Sequence, residues 1–237
     1  MVPGDMLRRA SAEAVGTALL VAIVVGSGIY AQRLSPGNVG LQLLENSTAT
    51  GAGLVALILA LGPVSGAHFN PVVTLADRVL GGMTTATALL YVVAQTVGAC
   101  AGAIVANLMF SLPAVTLSTH TRSAGALWLG EFVATFGLLT VILGVVRAGR
   151  DSVAAFAVGG YIAAAYWFTS STSFANPAVT IGRTLTDTFA GIKPASAPMF
   201  VVMQVAGGIV AVALGRYWNP SIRAADLVVP HEATEVT

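Results

Sequence analysis

Two seven-residue boxes carry the side chains best placed to do chemistry: His68-Phe69-Asn70-Pro71-Val72-Val73-Thr74 and Phe174-Ala175-Asn176-Pro177-Ala178-Val179-Thr180. The two asparagines lie 106 positions apart. Each amide has two N–H donors and a carbonyl acceptor, and each sits in an apolar stretch where an unbonded polar group is costly. Asn is a strong helix N-cap and Pro suits the first helical position, so each box starts a helix at its Asn. The apolar run after each box is short, roughly 10 residues or about 15 Å of helix, which is half a bilayer. A helix that begins halfway through lipid presents unbonded N–H groups and the positive end of its dipole, and needs something polar to face. The pattern marks a pore or a binding site at the membrane midplane, where solutes exchange hydrogen bonds.

The elements that must hold these boxes are membrane spans. The chain has 237 residues, of which 56% are hydrophobic and 9% charged, with a mean hydropathy of +0.83. A soluble domain carries about 25% charged residues, so this is an integral membrane protein with no room for a sizeable soluble domain. A net charge of +1 argues against nucleic acid as a partner. The single cysteine, Cys100, lies in an apolar run, has no internal disulfide partner and reads as a small packing residue. Arg8 and Arg9 precede a run too long for a cleaved signal, which continues as a first span. The tripeptide Asn46-Ser47-Thr48 is a chance glycosylation sequon.

Six runs are long enough to cross a bilayer, near 10–30, 49–64, 86–110, 125–147, 153–169 and 197–218, with the half-helices near 70–80 and 176–187. Most of the 26 glycines fall in these spans as close-packing residues. With the N-terminus inside, Arg8, Arg9, Arg78, Arg147, Arg150, Arg216 and Arg223 are inner, and Arg33, Arg122, Arg183 and Lys193 outer. The excess places both termini on the cytoplasmic side. The division expected is a single channel domain over 1–224, its repeats at about 8–112 and 124–220, and a short polar tail over 225–237.

The halves repeat. Glu13 is followed by Gly16-Thr17 and Glu131 by Thr135-Phe136-Gly137; Gln95 precedes Gly98 as Gln204 precedes Gly207. Three spans per half force opposite insertion, an inverted repeat that brings two half-helix N-termini together. An intramembrane carboxylate is expensive. Glu13 and Glu131 therefore either sit near the headgroups or brace the half-helices by accepting loop N–H groups, and bracing is the better reading. Gln95 and Gln204 are interhelical or loop-bracing amides. His68 is either a lining residue of the inner mouth or a packed histidine. No His, Cys or Asp cluster has metal-ligand spacing, no nucleophile–base arrangement stands out, and neither cofactor nor enzymatic activity is expected.

Glu13, Glu131, the segment Ser65-Gly66-Ala67-His68-Phe69-Asn70-Pro71 and Asn176-Pro177-Ala178 together resemble the aquaporin/glycerol-facilitator family, or major intrinsic proteins, along nearly the whole chain. The resemblance implies an all-α membrane protein: a right-handed bundle of six transmembrane helices plus two re-entrant half-helices, in an inverted repeat. It also implies a homotetramer with one pore per protomer, in contact with lipid and passing small neutral solutes. The pore boxes are then Asn70, Pro71, Val72 and Asn176, Pro177, Ala178, with dipoles converging to repel cations, a known argument for such pores.

Two positions depart from the family pattern. Val72 stands where Ala is usual, and its added methyls are expected where the half-helices abut. Val179 stands where the family places an Arg. Counting from the boxes puts the outer constriction at Thr50, Ala164, Ser173 and Val179, a wide and uncharged ring with two hydroxyls. Arg183, at i+4 from Val179, has three readings: it reaches the mouth, pairs with Asp187, or snorkels outward, and the last two are favoured. The stretch from Asn176 to Ile192 resembles a bacterial branch associated with arsenic-resistance gene clusters, which implies neutral arsenicals among the solutes and a bacterial inner membrane. The rival readings are an ordinary water or glycerol pore and an ion-coupled transporter using Glu13 and Glu131.

Overall fold

The computed structural model describes residues 3–220; Arg223 and the 225–237 tail lie outside the described residues. Eight α-helices follow one another: α1 Pro3–Leu34, α2 Val39–Ser65, α3 Pro71–Leu80, α4 Thr85–Met109, α5 Gly125–Arg147, α6 Ala154–Phe168, α7 Pro177–Gly182 and α8 Ala197–Trp218. Five of them are long and apolar enough to cross a membrane; α6 is shorter and is preceded by a 3-10 turn at Asp151–Val153. With α3 and α7 as the half-helices, the layout is the expected six plus two.

Small residues set the helix crossings. A side chain at Gly98 or Gly102 of α4 would collide with the α1 carbonyls of Ala14 and Ala18, and one at Gly207 of α8 with the α5 carbonyl of Phe132. The two repeats thus cross their first and last helices in the same way. Between them, α2 and α6 meet at Gly51 and Gly159, each of which lies against the other's carbonyl oxygen. Such contacts bring backbones together where lipid supplies no hydrophobic drive for association. Cys100 is half-buried in α4.

Several boundaries differ from the sequence expectation, among them the first span, which runs from Pro3 to Leu34 and not from 10 to 30. The second span begins ten residues early, at Val39, where the Asn38 side chain accepts from Leu41 N–H. Its polar first turns looked like a loop, but they are bonded inward: Asn46 donates to Val24 O at 2.9 Å and Gln42 to Ser35 O at 2.8 Å. Asn46 is thus buried in a helix, in keeping with a chance sequon. The second half-helix is shorter than expected. It ends at Gly182, tightens into a 3-10 turn at Arg183–Leu185, and leaves Asp187 outside any helix.

Candidate functional site

Each asparagine caps its own half-helix and reaches across to the other repeat. Asn70 Oδ1 accepts from Val72 N–H at 2.9 Å, while its Nδ2 donates to Ala175 O at 2.8 Å. Asn176 Oδ1 accepts from Ala178 and Val179 N–H at 3.0 and 3.2 Å, while its Nδ2 donates to Phe69 O at 2.7 Å. One N–H of each amide is consumed in this exchange. The second is left for whatever occupies the cavity that both asparagines line.

The approach to each box is backbone in a sparsely populated conformation. Ala67 and Phe69 have φ of 49° and 48°, and Ser173 and Ala175 both have φ of 50°. Non-glycine residues held there cost about 1–3 kcal/mol each and need surroundings that enforce them. The two buried glutamates supply that. Glu13 accepts from the N–H groups of His68 and Phe69, from Ser65 Oγ and from Gln95 Nε2, all within 2.9 Å. Glu131 accepts from the N–H groups of Phe174 and Ala175 and from Gln204 Nε2. Gln95 and Gln204 each pass a second bond, of 2.9 Å, to Thr74 and Thr180 on the half-helices. Both carboxylates are thus fully engaged in holding loops.

Four helices wall the cavity in matched pairs: Leu20 and Val24 of α1 against Leu138 and Ile142 of α5, and Thr50, Leu54 and Ile58 of α2 against Val158, Ile162 and Tyr166 of α6. The space open to the centre of a water-sized molecule is about 60 Å³. At roughly 10–15 Å³ for each water that is a short file, not a wide bore. His68 lines it and also packs, with Nδ1 3.1 Å from Thr74 Oγ1 and its ring edge-on to Tyr91.

Of the four expected constriction positions, Thr50, Ser173 and Val179 line the cavity. Ala164 does not: it is exposed on the outer side of α6, and Tyr166 and Ile162 occupy the space instead. The lining stripe on α2 ends 12 residues before Asn70, but the stripe on α6 ends ten before Asn176. Two residues turn a helix by roughly 200°, so the count lands on the opposite face. The ring is therefore neither free of aromatics nor uncharged. Tyr166 Oη lies 3.3 Å from Thr50 Oγ1, and Arg183 also lines the cavity.

Arg183 departs from both favoured readings. The 3-10 turn breaks the i+4 relation to Asp187, which instead accepts from Thr119 N–H and Oγ1 at 2.8 and 3.0 Å. Arg183 is 2% exposed; its guanidinium donates from Nε to Ala190 O and lies over the Phe174 ring, with Cζ 3.3 Å from the centroid. The spacing of Val158, Ile162 and Tyr166, four apart on one helical face, was the signal that could have found Tyr166. Nothing in the sequence pointed to Phe174 as the platform for Arg183. Val72 also faces elsewhere than expected: a side chain at Gly208 of α8 would strike its Cγ1, so its methyls fill the notch left by that glycine.

Among the described residues no group of acidic, His or Cys side chains has the geometry to hold a metal ion. Paired half-helices, asparagine-capped and bonded to one another beside a narrow passage within a six-span bundle, define a membrane channel of the inverted-repeat class. The profile of the family described as Major intrinsic protein matches in two overlapping stretches, residues 3–170 and 147–237. The chain belongs to that family. It is 51% identical over 213 residues to the aquaglyceroporin AqpS of Rhizobium meliloti (strain 1021), covering 90% of this chain and 91% of the relative. It is 30% identical over 240 residues to the probable aquaporin AqpM of Archaeoglobus fulgidus, covering 90% and 97%. Among solved structures, the aquaglyceroporin from Plasmodium falciparum superposes with a TM-score of 0.69 at 21% identity, covering 91% of this chain and 98% of that one.

Proposed function

We propose that this protein is a passive channel for small neutral solutes: water, glycerol, urea and uncharged metalloid hydroxides such as arsenous acid. The observation that carries this is the crossed pair of asparagine amides beside a narrow cavity, each with a donor to spare. A solute that sheds water there regains hydrogen bonds from Asn70, Asn176 and the carbonyls turned out by the strained approach loops. The converging half-helix dipoles disfavour cations. Transport follows the solute gradient and needs no cofactor.

The metalloid part of this reading rests on Val179, where the family pattern has an Arg, and on the resemblance of the stretch from Asn176 to Ile192 to the branch associated with arsenic resistance. An apolar side chain at that level leaves room for a polyol-like hydroxide bulkier than water. An ion-coupled transporter fits less well, because Glu13 and Glu131, the span acids it would use, already accept loop and glutamine donors. The assembly proposed is a homotetramer in the bacterial inner membrane with both termini cytoplasmic, each protomer carrying one channel domain over 1–224.

The test is reconstitution into liposomes, with light scattering after a step in glycerol, urea or arsenite. Flux proportional to the gradient and indifferent to Na⁺ or pH gradients is expected. Saturable flux that needs an ion gradient would favour the transporter.

A further inference from the structure

Val179 leaves the throat without a fixed cationic donor, yet a buried cation sits one turn further along. We infer that Arg183 is the specificity-determining donor of the outer mouth, its terminal nitrogens presented to the oxygens of the passing solute. This rests on the channel reading above and adds to it the group that selects.

Three observations place Arg183 in that role. First, its side chain lines the same cavity as Asn70, Asn176 and Val179 although it is only 2% exposed. Second, it is fixed at one end only. Nε donates to Ala190 O, and the plane rests on Phe174, which is itself held edge-on by Phe200 at 5.2 Å. Among the described residues nothing accepts from the two terminal nitrogens, and they are not among the buried polar atoms sealed off without a partner. Third, no carboxylate forms an ion pair with it: the ion pairs among the described residues are Arg8–Asp5, Arg9–Asp5 and His120–Asp187. Instead a second guanidinium, that of Arg122, lies 5.1 Å from the centroid of the same Phe174 ring.

A planar guanidinium held flat against an aromatic ring is a preorganised donor. With its guanidinium over Phe174 at the entry to the second box, it faces the same cavity that Val179 lines. A hydroxylated solute is bound as it loses its outer water, and a cation is repelled before it reaches the dipoles.

The experiment compares wild-type protein with Arg183→Met and Arg183→Lys in liposomes, reading water and glycerol permeability and, with an entrapped pH dye, proton leak. Arg183→Met is expected to lower the glycerol-to-water permeability ratio about tenfold, the loss of one charged hydrogen bond at the barrier, and to raise proton leak. Arg183→Lys keeps the charge but not the stacked plane, so it should hold protons out while lowering the ratio by less. An unchanged ratio and leak in Arg183→Met, or an equal loss for both solutes in both variants with protons still excluded, overturns the inference and leaves the channel reading intact. A wild-type protein that passes neither solute overturns both.

Discussion

Thr50 Oγ1 and Tyr166 Oη approach to 3.3 Å across the outer part of the cavity, joining α2 to α6 above the asparagines. Both side chains line the cavity, so the pair forms part of the wall that a larger solute must pass. Replacing Tyr166 by Ala should open the cavity, raising glycerol permeability relative to water by about tenfold, the low end of what one ill-fitting group is worth in a pocket. Tyr166→Phe should do less, since it removes only the hydroxyl. Osmotic light scattering reads both; equal rates for all three proteins would remove Tyr166 from the barrier.

Val179→Arg adds a long cation at the throat, one turn from Arg183. Glycerol and arsenite should slow by about tenfold or more while water slows less, because the smallest solute tolerates the narrowing best. The same liposome assay checks this, and a uniform loss across solutes would count against Val179 facing the passage.

Asn176→Asp keeps the acceptor that caps α7 but removes the donor to Phe69 O and puts a negative charge at the meeting point of the half-helices. Cation leak should rise. Planar-bilayer currents report it; none above bare lipid would contradict the proposed role of the dipole field.

Glu131→Ala leaves the N–H groups of Phe174 and Ala175 and the Gln204 amide without their acceptor. At about 1–3 kcal/mol for each buried unsatisfied group, the expected loss is about 3 kcal/mol or more, seen as a marked fall in the thermal midpoint in detergent. Glu131→Gln, which keeps one acceptor oxygen, should fall between. Glu13→Ala should behave alike in the first repeat.

Asp187 is held below its ordinary value of 3.8, chiefly by the Thr119 N–H bond. A depressed carboxyl stabilises the folded state above the ordinary value and loses that contribution as pH falls through the lowered one. Acidification below that point should loosen the 116–119 segment, and Asp187→Asn should do so at neutral pH. Amide exchange at Thr119 measures it; unchanged protection in the variant would show the bond to be dispensable.

The boxes, the six spans and the bracing acids were legible because each follows from local rules: a cap, a half-length apolar run, a charge that lipid forbids. What lay between boxes was not. Counting back from Asn176 puts the constriction at Ala164, but a count assumes a loop of fixed length, and the approach to the second box is two residues shorter than that to the first. A continuous helix sets Arg183 at i+4 from Val179, but the chain tightens after Gly182 and directs it onto Phe174. Position within its box turns Val72 toward the facing half-helix, whereas the notch that receives it is made by Gly208, far along the chain.

The hydrogen bonds that tie the Asn70 amide to Ala175 O and the Asn176 amide to Phe69 O span 105 and 107 residues. Neither half can finish its own centre: each lends the other the carbonyl that orients its amide. During synthesis the first box must wait, provisionally arranged, until most of the second half has emerged and inserted. The heart of the passage is thus among the last parts of the molecule to set, and two separately made halves should regain it only on meeting.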